Sequence, residues 1–546
     1  MKSRILKTVC ILLVFLLMPL SLAACGGGDG NGSTVTPGGS DRPAGKKIVI
    51  YTGGSSEFSW VKGSDEDRII EYIEDKYYNE TGNSLDFEIA YLGEDMRQKL
   101  TSELAGGTQV DIAVSHTRGG VGIDDFVMTN LIYYDLADLI ETYAPNLYKN
   151  ISGTPLNSMT TYSEKVIAIP SVISPYKFGI LVRKDYMEQA GFTDDPAKTS
   201  EVCPETGSNY VLVDNLDAFE DMCIAMNEIT GNSFAVSGAT WDAEKVLVLG
   251  PYTDSGYFTT TIRNYTGMDG VYPGNMTEEY GDVLQKEYEW AKNGVMSQEA
   301  NATLLEQAES TFISGSTGVF IQDPTIQHLI QVARRTKAVN PEAEFTVLGP
   351  LTKDAESTKK GFMRNAEATF GAAILKTSER AVDILKFLNW VYKDADTYNL
   401  CRLGIEGEHW VDNGDGTYSY PAGKESYLTS PPYSGILTLV ENQRISNLVY
   451  DGYTEEESSW IELAATPEFY IENDLIDYIL PKNERYAAEA QNNMYEAVVV
   501  KAWTGQADPS LTFHDAIMSY RSRAKDHVEY QATAYKSMKA RFEMLG

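Results

Sequence analysis

The chain has 546 residues, a formal net charge of −33 at pH 7, 23% charged residues and 43% apolar residues. These fractions suit a globular protein, and the length exceeds what one core ordinarily serves, so two or three domains or lobes are expected. The acidity excludes nucleic acid, whose binding rests on basic patches, and a surface lying flat on anionic lipid; it suits a body outside the cell.

The first residues carry Lys2, Arg4 and Lys7 and no acid, and Val9 to Leu20 is almost purely apolar. A cationic start and an apolar core of this size are the layout of a secretory signal. A bilayer span takes about 20 apolar residues, and no other apolar run in the chain is long enough for one. The run ends Leu22-Ala23-Ala24-Cys25, which resembles the lipobox of bacterial lipoproteins, whose cysteine is lipidated and becomes the new N-terminus. Residues 1–24 are therefore expected to be a lipoprotein signal peptide, with Cys25 as the lipidation site. Residues 25–45 are glycine-rich and lack apolar periodicity. They are expected to be a flexible tether reaching about 25 Å.

The folded body opens on a strand at Ile48 to Tyr51. Ser64-Asp65 then caps a helix with Ile69, Ile70, Ile73 and Tyr77 at helical spacing. "SLDFEIAYL" places Leu85, Phe87, Ile89 and Tyr91 at every second position, as a strand requires. "GEDMRQKLTSELAGG" reads as a helix with a glycine stop, and "VDIAVSH" as a third strand. This β-α-β-α-β order predicts a mainly parallel sheet with helices on both faces. Ligands of such sheets bind beyond the carboxyl ends of the strands, which points to Thr52 to Phe58 and Ser115 to Gly120.

Further on, "YKFGILVRKDYMEQAG" reads as a strand and a short helix. "DNLDAFEDMCIAMNEITGN" is a helix capped by Asp214 or Asn215 and stopped at Gly231. "SFAVSG", "TGVFIQD", "EFTVLGPL" and "TFGAAILKTS" read as strands, and "TEEYGDVLQKEYEWAKNG" and "LLEQAESTFISG" as helices. "SERAVDILKFLNWVYKD" is an amphipathic helix. From Asn442 the pattern is mostly helical, and no fixed-period repeat appears. Cys203, Cys223 and Cys401 are too few and too widely spaced for a disulfide scaffold. Cys223 lies on the apolar stripe of its helix; a Cys203–Cys223 bridge and free thiols both remain open.

Several of these stretches resemble one family. "ELAGGTQVDIAVS", residues 103–115, is similar to a motif of the extracellular solute-binding proteins of bacterial ABC transporters, the sugar-binding class called family 1, with Val110 where proline is usual. "AIPSVISPYKFGILVRKDYMEQAG", "STGVFIQDPTIQHL" and "ILKTSERAVDILKFLNWVYKDADTYNL" resemble later family segments. "GIEGEHWVDNGDGTYSY", residues 404–420, and the C-terminal "GQADPSLTFHDAIMSY…YQATAYKSM" resemble its longer lipoprotein subfamily. The resemblance implies an α/β fold. Two periplasmic-binding-protein-like lobes form a clamp with a hinge between them and a helical C-terminal extension. Crossings are expected near Pro170–Lys177, Gly315–Gly318 and Glu367–Gly371. The lobes are thus expected to be discontinuous: 46–170 with 316–367, and 171–315 with 368–546.

The resemblance further implies a carbohydrate ligand, with no cofactor and no catalysis. The partners would be ABC permease membrane subunits with a cytoplasmic ATPase. The protein would act as a monomer held to the outer face of the cell membrane by its lipid alone. A sugar requires polar groups at its edge and aromatic rings on its faces. Candidates on loops after strands are Phe58, Trp60, Trp241 and Trp410 as rings, and Glu57, His116, Arg118, Tyr176 and Asp323 as polar groups. Each tryptophan has a packing role as its alternative. Glu57 or Asp323 would accept two sugar hydroxyls, a charge-assisted pairing.

Other chemistries have less to stand on. His116, His328, His409, His514 and His527 show no zinc spacing, and no G-x-S-x-G elbow or P-loop occurs. "VDNGDGTYS" reads as a hairpin turn and lacks the alternating oxygen ligands of a calcium loop. The alternatives are a surface glycoside hydrolase, which needs only two carboxylates about 5–9.5 Å apart, and a sensory or adhesive lipoprotein.

Overall fold

The computed structural model describes residues 42–471 and 495–523. The segments 53–62, 93–95, 116–133, 152–160, 163–164, 167, 171–177, 253–260, 266–267, 273–277, 323–324, 359, 364–370, 429–430, 434, 440–441, 443 and 447 lie outside the description.

The first sheet has the strand order Leu85–Tyr91, Lys46–Thr52, Ile112–Ser115, Gly371–Ile374, Ile169–Pro170. Its first three strands run parallel, as the β-α-β-α-β order requires, and Gly371–Ile374 runs antiparallel to both of its neighbours. The register sets Ile48 beside Phe87 and Ile50 beside Ile89. Alternation then buries those four side chains on one face with Ile112 and Val114. The helix Asp65–Thr81 covers that face with Ile69, Ile70, Ile73 and Tyr77. Ser64 caps it by accepting from the Asp67 N–H, and Gly82, in the left-handed region, closes it.

Two acids explain themselves only in this fold. The buried Asp111 carboxylate accepts the Val49 N–H at 2.8 Å, the Gln109 side-chain amide at 2.8 Å, and the Ser378 hydroxyl. It joins the loop before one strand to the neighbouring strand and to the start of a distant helix. Glu74 accepts the Phe87 N–H at 2.7 Å. Leu85–Tyr91 is an edge strand, so this carboxylate occupies a donor that would otherwise invite another strand.

The second sheet has the order Val236–Ser237, Val319–Phe320, Ile180–Arg183, Phe345–Leu348. Both faces are covered. Ile180 and Val182 point into a cluster with Phe219, Met222 and Trp290. Leu181 points the other way, to Phe312, Phe320, Leu329, Phe345 and Trp460. The helix Leu216–Thr230 is capped by Asn215, whose side chain accepts from Ala218, and stops at Gly231. Cys203, Cys223 and Cys401 are buried free thiols, so no bridge forms. Beyond Asn442 the described helices are Glu455–Ala464, Val500–Trp503 and Phe513–Arg523, with short strands at Val449–Tyr450 and Tyr470–Ile471.

Strand pairing corrects the expected lobe boundaries. The sequence pattern places residues 316–367 in the first lobe. Their strands Val319–Phe320 and Phe345–Leu348 instead flank Ile180–Arg183, and the Arg183 N–H donates to the Gly318 carbonyl. No crossing therefore falls at Gly315–Gly318. Residues 371–439 return to the first lobe, where Ile374, Ile384, Leu388, Tyr398 and Leu437 join its core. A short apolar run carries no mark of which sheet it will enter; the hydrogen-bond ladder decides. The crossings expected near Pro170–Lys177 and Glu367–Gly371 fall in 171–177 and 364–370, outside the described residues; only the elements on either side of them are described. Pro170 ends in the first sheet and Ile180 begins in the second. Phe362–Met363 packs with Tyr470–Ile471 on the second-lobe core, and Gly371 opens a first-sheet strand.

The second-lobe core encloses a pair of acids. Glu244 and Glu287 are 0% and 3% exposed and lie close enough to interact electrostatically. The Tyr280 hydroxyl donates to Glu244 at 3.0 Å and the Trp503 indole N–H donates to Glu287 at 2.7 Å. Burial, and for Glu244 also the charge of Glu287, raises both carboxyls; Glu287 is pushed up to about 8. In the fold they keep protons that the unfolded chain releases near 4.5. Stability from the pair is thus full below that value and is lost as pH rises toward 8. The melting temperature should fall over this window, each proton retained in the fold contributing up to about 1.4 kcal/mol of stability per pH unit. Replacing both residues by glutamine should flatten the profile in a thermal-melt series. An unchanged slope would place its origin elsewhere.

Candidate functional site

The carboxyl ends of the parallel strands form one rim of the first lobe. Register places Thr52 beside Tyr91, Ser115 beside Gly371, and Gly371 beside Pro170. In sequence the rim strands are followed by 53–62, 93–95 and 116–133, and 171–177 and 364–370 separate first-sheet strands from second-lobe strands; all five segments lie outside the described residues. Glu57, Phe58 and Trp60 follow Thr52; His116 and Arg118 follow Ser115; Tyr176 lies between Pro170 and Phe178. All six fall outside the described residues, as does Asp323. The structure thus fixes the rim from which these candidates depart.

The second lobe has a matching rim. Val236–Ser237 and Val319–Phe320 are parallel neighbours, so Gly238 and Ile321-Gln322 emerge side by side. A Cβ on Gly238 would lie 2.5 Å from the Ile321 side chain and 3.0 Å from the Gln322 nitrogen. Only glycine allows that approach. The Ser237 hydroxyl is satisfied, donating to the Ala308 carbonyl at 2.6 Å. Two other polar groups are not. The Thr240 hydroxyl and the Gln322 carbonyl oxygen are buried and have no hydrogen-bond partner. Gln322 donates its amide nitrogen to the Thr303 carbonyl at 3.2 Å, which leaves the oxygen as a fixed free acceptor. A buried polar group without a partner costs about 1–3 kcal/mol, and these two, among the buried unpartnered groups of the described residues, lie directly beyond the strand ends of this rim. Sequence reasoning missed both and chose Trp241. The signal was present: a short polar residue directly after strand-end glycine and alanine. Trp241 is the second residue of the helix Thr240–Ala243.

Trp410 is described and is 4% exposed. Its indole N–H donates to the Gly404 carbonyl at 2.9 Å, and its ring meets Tyr418 edge-on at 6.4 Å. It packs inside the segment 404–453. Beside it, His409 accepts the Ile405 N–H on Nδ1. Burial, with the charge of Arg68, holds its imidazole down to about 4, so it is neutral.

Other polar clusters are satisfied structurally. Burial would raise Glu309, but hydrogen bonds from His328 and Arg335 outweigh it and hold the carboxyl at about 2. In the hairpin of Val411–Asp412 and Thr417–Ser419, Asp412 accepts from the Gly414 N–H and Asp415 from Thr417. Those oxygens build the turn. Among the described residues, no group of three or more His, Cys, Asp or Glu gathers as a metal site.

No family model matches the chain. The polygalacturonan/rhamnogalacturonan-binding protein YtcQ of Bacillus subtilis (strain 168) is 23% identical over 290 residues, 53% of this chain and 53% of that protein. The chain thus matches about half the length of this curated relative. Solved structures match over nearly the whole chain. The N-glycan transport solute-binding protein NgtS from Streptococcus pneumoniae superposes with a TM-score of 0.59 at 13% identity, covering 91% of this chain and 99% of that one. The alginate-binding protein AlgQ2 gives 0.65 at 14% identity with the same coverage. An HMO-binding, ABC-transporter-associated solute-binding protein from Bifidobacterium longum infantis ATCC 15697 gives 0.59 at 12% identity, again over 91% and 99%. Strand order, rim geometry and these likenesses agree with the resemblance read from the motifs: the chain has the two-lobed fold of the extracellular solute-binding proteins.

Proposed function

We propose that this protein is the carbohydrate-binding component of an ABC importer, displayed outside the cell on a lipid anchor at Cys25. The observation that carries the reading is the pair of rims, one on each sheet. Each sheet ends in a rim of loops, and the chain passes between the sheets at those rims. Proteins of this fold with carbohydrate-binding names support the ligand class, and the acidic, tethered body suits capture outside the membrane. No helix among the described residues is long and apolar enough to cross a membrane.

In this reading an oligosaccharide lies between the rims. Glu57, Phe58, Trp60, His116 and Arg118 serve from the first lobe, and Tyr176 and Asp323 serve from segments at the rims. Trp241 supplies a ring from the second lobe. Thr240 and Gln322 complete their hydrogen bonds with sugar hydroxyls. Ligand touching both lobes favours the closed arrangement only by its extra contacts there. The closed form is what membrane permease subunits with their cytoplasmic ATPase would read.

The test begins with soluble protein carrying Cys25→Ala, screened against mono- and oligosaccharides by thermal shift, since bound ligand raises stability by RT ln(1 + [L]/Kd). The sugar should return intact after prolonged incubation; catalytic release of shorter sugars, abolished by one acid-to-amide change, would mark a hydrolase instead. Thr240→Val and Gln322→Leu should each weaken binding about 5-fold, the worth of roughly 1 kcal/mol. Neither should lower the melting temperature of the empty protein. Trp241→Ala should cost about 5- to 150-fold, by analogy with stacking on aromatic platforms. Intact affinity in all three would move the site elsewhere.

The anchor is tested separately. Cys25→Ala should abolish lipid labelling and release the protein from membranes. Continued lipid-dependent fractionation would contradict the lipobox reading.

A further inference from the structure

The segment 404–453 joins a first-lobe helix, Ala395–Leu403, to a second-lobe helix, Glu455–Ala464. Its two ends build a small sheet, while Tyr433, Ile436, Leu437 and Leu439 between them belong to the first-lobe core. Val411–Asp412 pairs antiparallel with Thr417–Ser419, and Thr417–Tyr418 pairs parallel with Val449–Tyr450. On this small sheet the rings form a continuous chain. Trp410 meets Tyr418 at 6.4 Å, Tyr418 meets Tyr450 at 5.7 Å, and Tyr450 meets Tyr453 at 5.3 Å. Tyr420 braces the middle, 5.8 Å from Tyr418 and 5.1 Å from Tyr450. Aromatic pairs at these separations are mutually attractive.

Each end of the chain of rings grips a different lobe. At the first-lobe end, Glu408 pairs with Arg68 on the helix Asp65–Thr81. Gly404 there lies against Ile69 and His409; an added Cβ would come within 3.1 Å of Ile69. At the second-lobe end, Arg334, on the helix Ile326–Val339, donates twice to Glu457 at 2.7 and 2.6 Å. It also donates to the Gly452 carbonyl at 2.9 Å and lies 5.8 Å from the Tyr453 ring. Gly452 is required here, because a Cβ at that position would collide with the Tyr450 hydroxyl. The Glu457 pair holds Arg334 within the second lobe, and from there Arg334 meets the ring chain at the Gly452 carbonyl and the Tyr453 ring.

We propose that the ring-bearing sheet of residues 404–420 and 448–453 is a strut that fixes the spacing of the lobes, and that Arg334, Arg68 and Glu408 are positioning residues that set ligand affinity without touching ligand. The part about affinity rests on the clamp reading above; the part about spacing does not. A strut that holds the empty lobes near the binding-competent arrangement raises the competent fraction, and apparent affinity scales with that fraction.

The experiment places spin labels at Tyr72→Cys and Val339→Cys in the soluble Cys25→Ala protein. Both positions are exposed, on the first-lobe and second-lobe helices that the strut joins. Cys203, Cys223 and Cys401 are buried and should not take label. Distance distributions of the empty protein are compared for the parent, Arg334→Met and Glu408→Gln. Lys286→Met serves as control, since it removes an ion pair with Glu220 inside the second lobe. The two strut variants should broaden or shift the distribution, and the control should not. Where a sugar has been found, Arg334→Met should weaken it about 10-fold, as a tenfold loss of competent fraction requires. Distributions that superimpose on the parent in folded Arg334→Met protein would overturn the strut. If that variant does not fold, Glu408→Gln, at the half-exposed end, decides the same question. Should no carbohydrate move the labels of the parent, the clamp reading fails while the spacing result still stands or falls by itself.

Discussion

The hydrogen-bond ladder between Gly371–Ile374 and Ile112–Ser115 constrains everything else in the body. It completes the first sheet with a strand that follows the whole of the second. The chain must therefore leave the first lobe, build the second and come back. Both passages have to start or finish at the rim, because Gly371 pairs with Ser115 and with Pro170. One ladder thus makes the lobes discontinuous and puts the connections beside the loops that carry the ligand candidates. Asp111 reinforces the same junction from below. Its carboxylate ties the strand bearing Val49 to Ser378, just past the returning strand.

Local chemistry was legible wherever a feature is decided within a few residues. Ser64, Asn215 and Gly231 act as caps because capping is a contact between near neighbours. The alternation of Leu85, Phe87 and Ile89 sufficed for a half-buried strand. What could not be read was which sheet a short apolar run would join. "TGVFIQD" and "TFGAAILKTS" look alike, yet the first pairs with Ile180–Arg183 and the second with Ile112–Ser115. That choice is made by partners far away in sequence. The site suffered differently. Large aromatic residues draw attention in a sequence, whereas Thr240 and Gln322 are ordinary until their burial and missing partners are seen. Trp410 shows the reverse, a conspicuous ring whose N–H and packing are used by its own segment.

Acids illustrate how little composition says about location. With 78 of them, the natural expectation is a solvated surface. Several instead hold the interior together. Glu74 occupies an edge-strand donor, and Glu457 receives Arg334. Glu244 and Glu287 face each other in the second-lobe core. Two buried carboxyls are tolerable because burial keeps them protonated and Tyr280 and Trp503 each donate to one of their oxygens. Trp503 belongs to the C-terminal helices, so this pair also secures the extension to the lobe.

The two ends of the aromatic strut are unequal, and the inequality has a mechanical meaning. Arg334 makes a bidentate pair with a carboxylate that is 8% exposed, the strong, directional form of ion pair. Arg68 and Glu408 are 34% and 39% exposed, and exposed pairs are worth about 0–1 kcal/mol. Any rotation between the lobes concentrates strain where contacts are cheapest to rearrange. The same segment is also rooted in the first lobe, where Tyr433, Ile436, Leu437 and Leu439 join its core and Tyr392 donates to the Thr438 carbonyl. The neutral, buried His409 sits at the Arg68 end. It brings no added charge against Arg68, so the contact can slide without separating like charges in a dry interface.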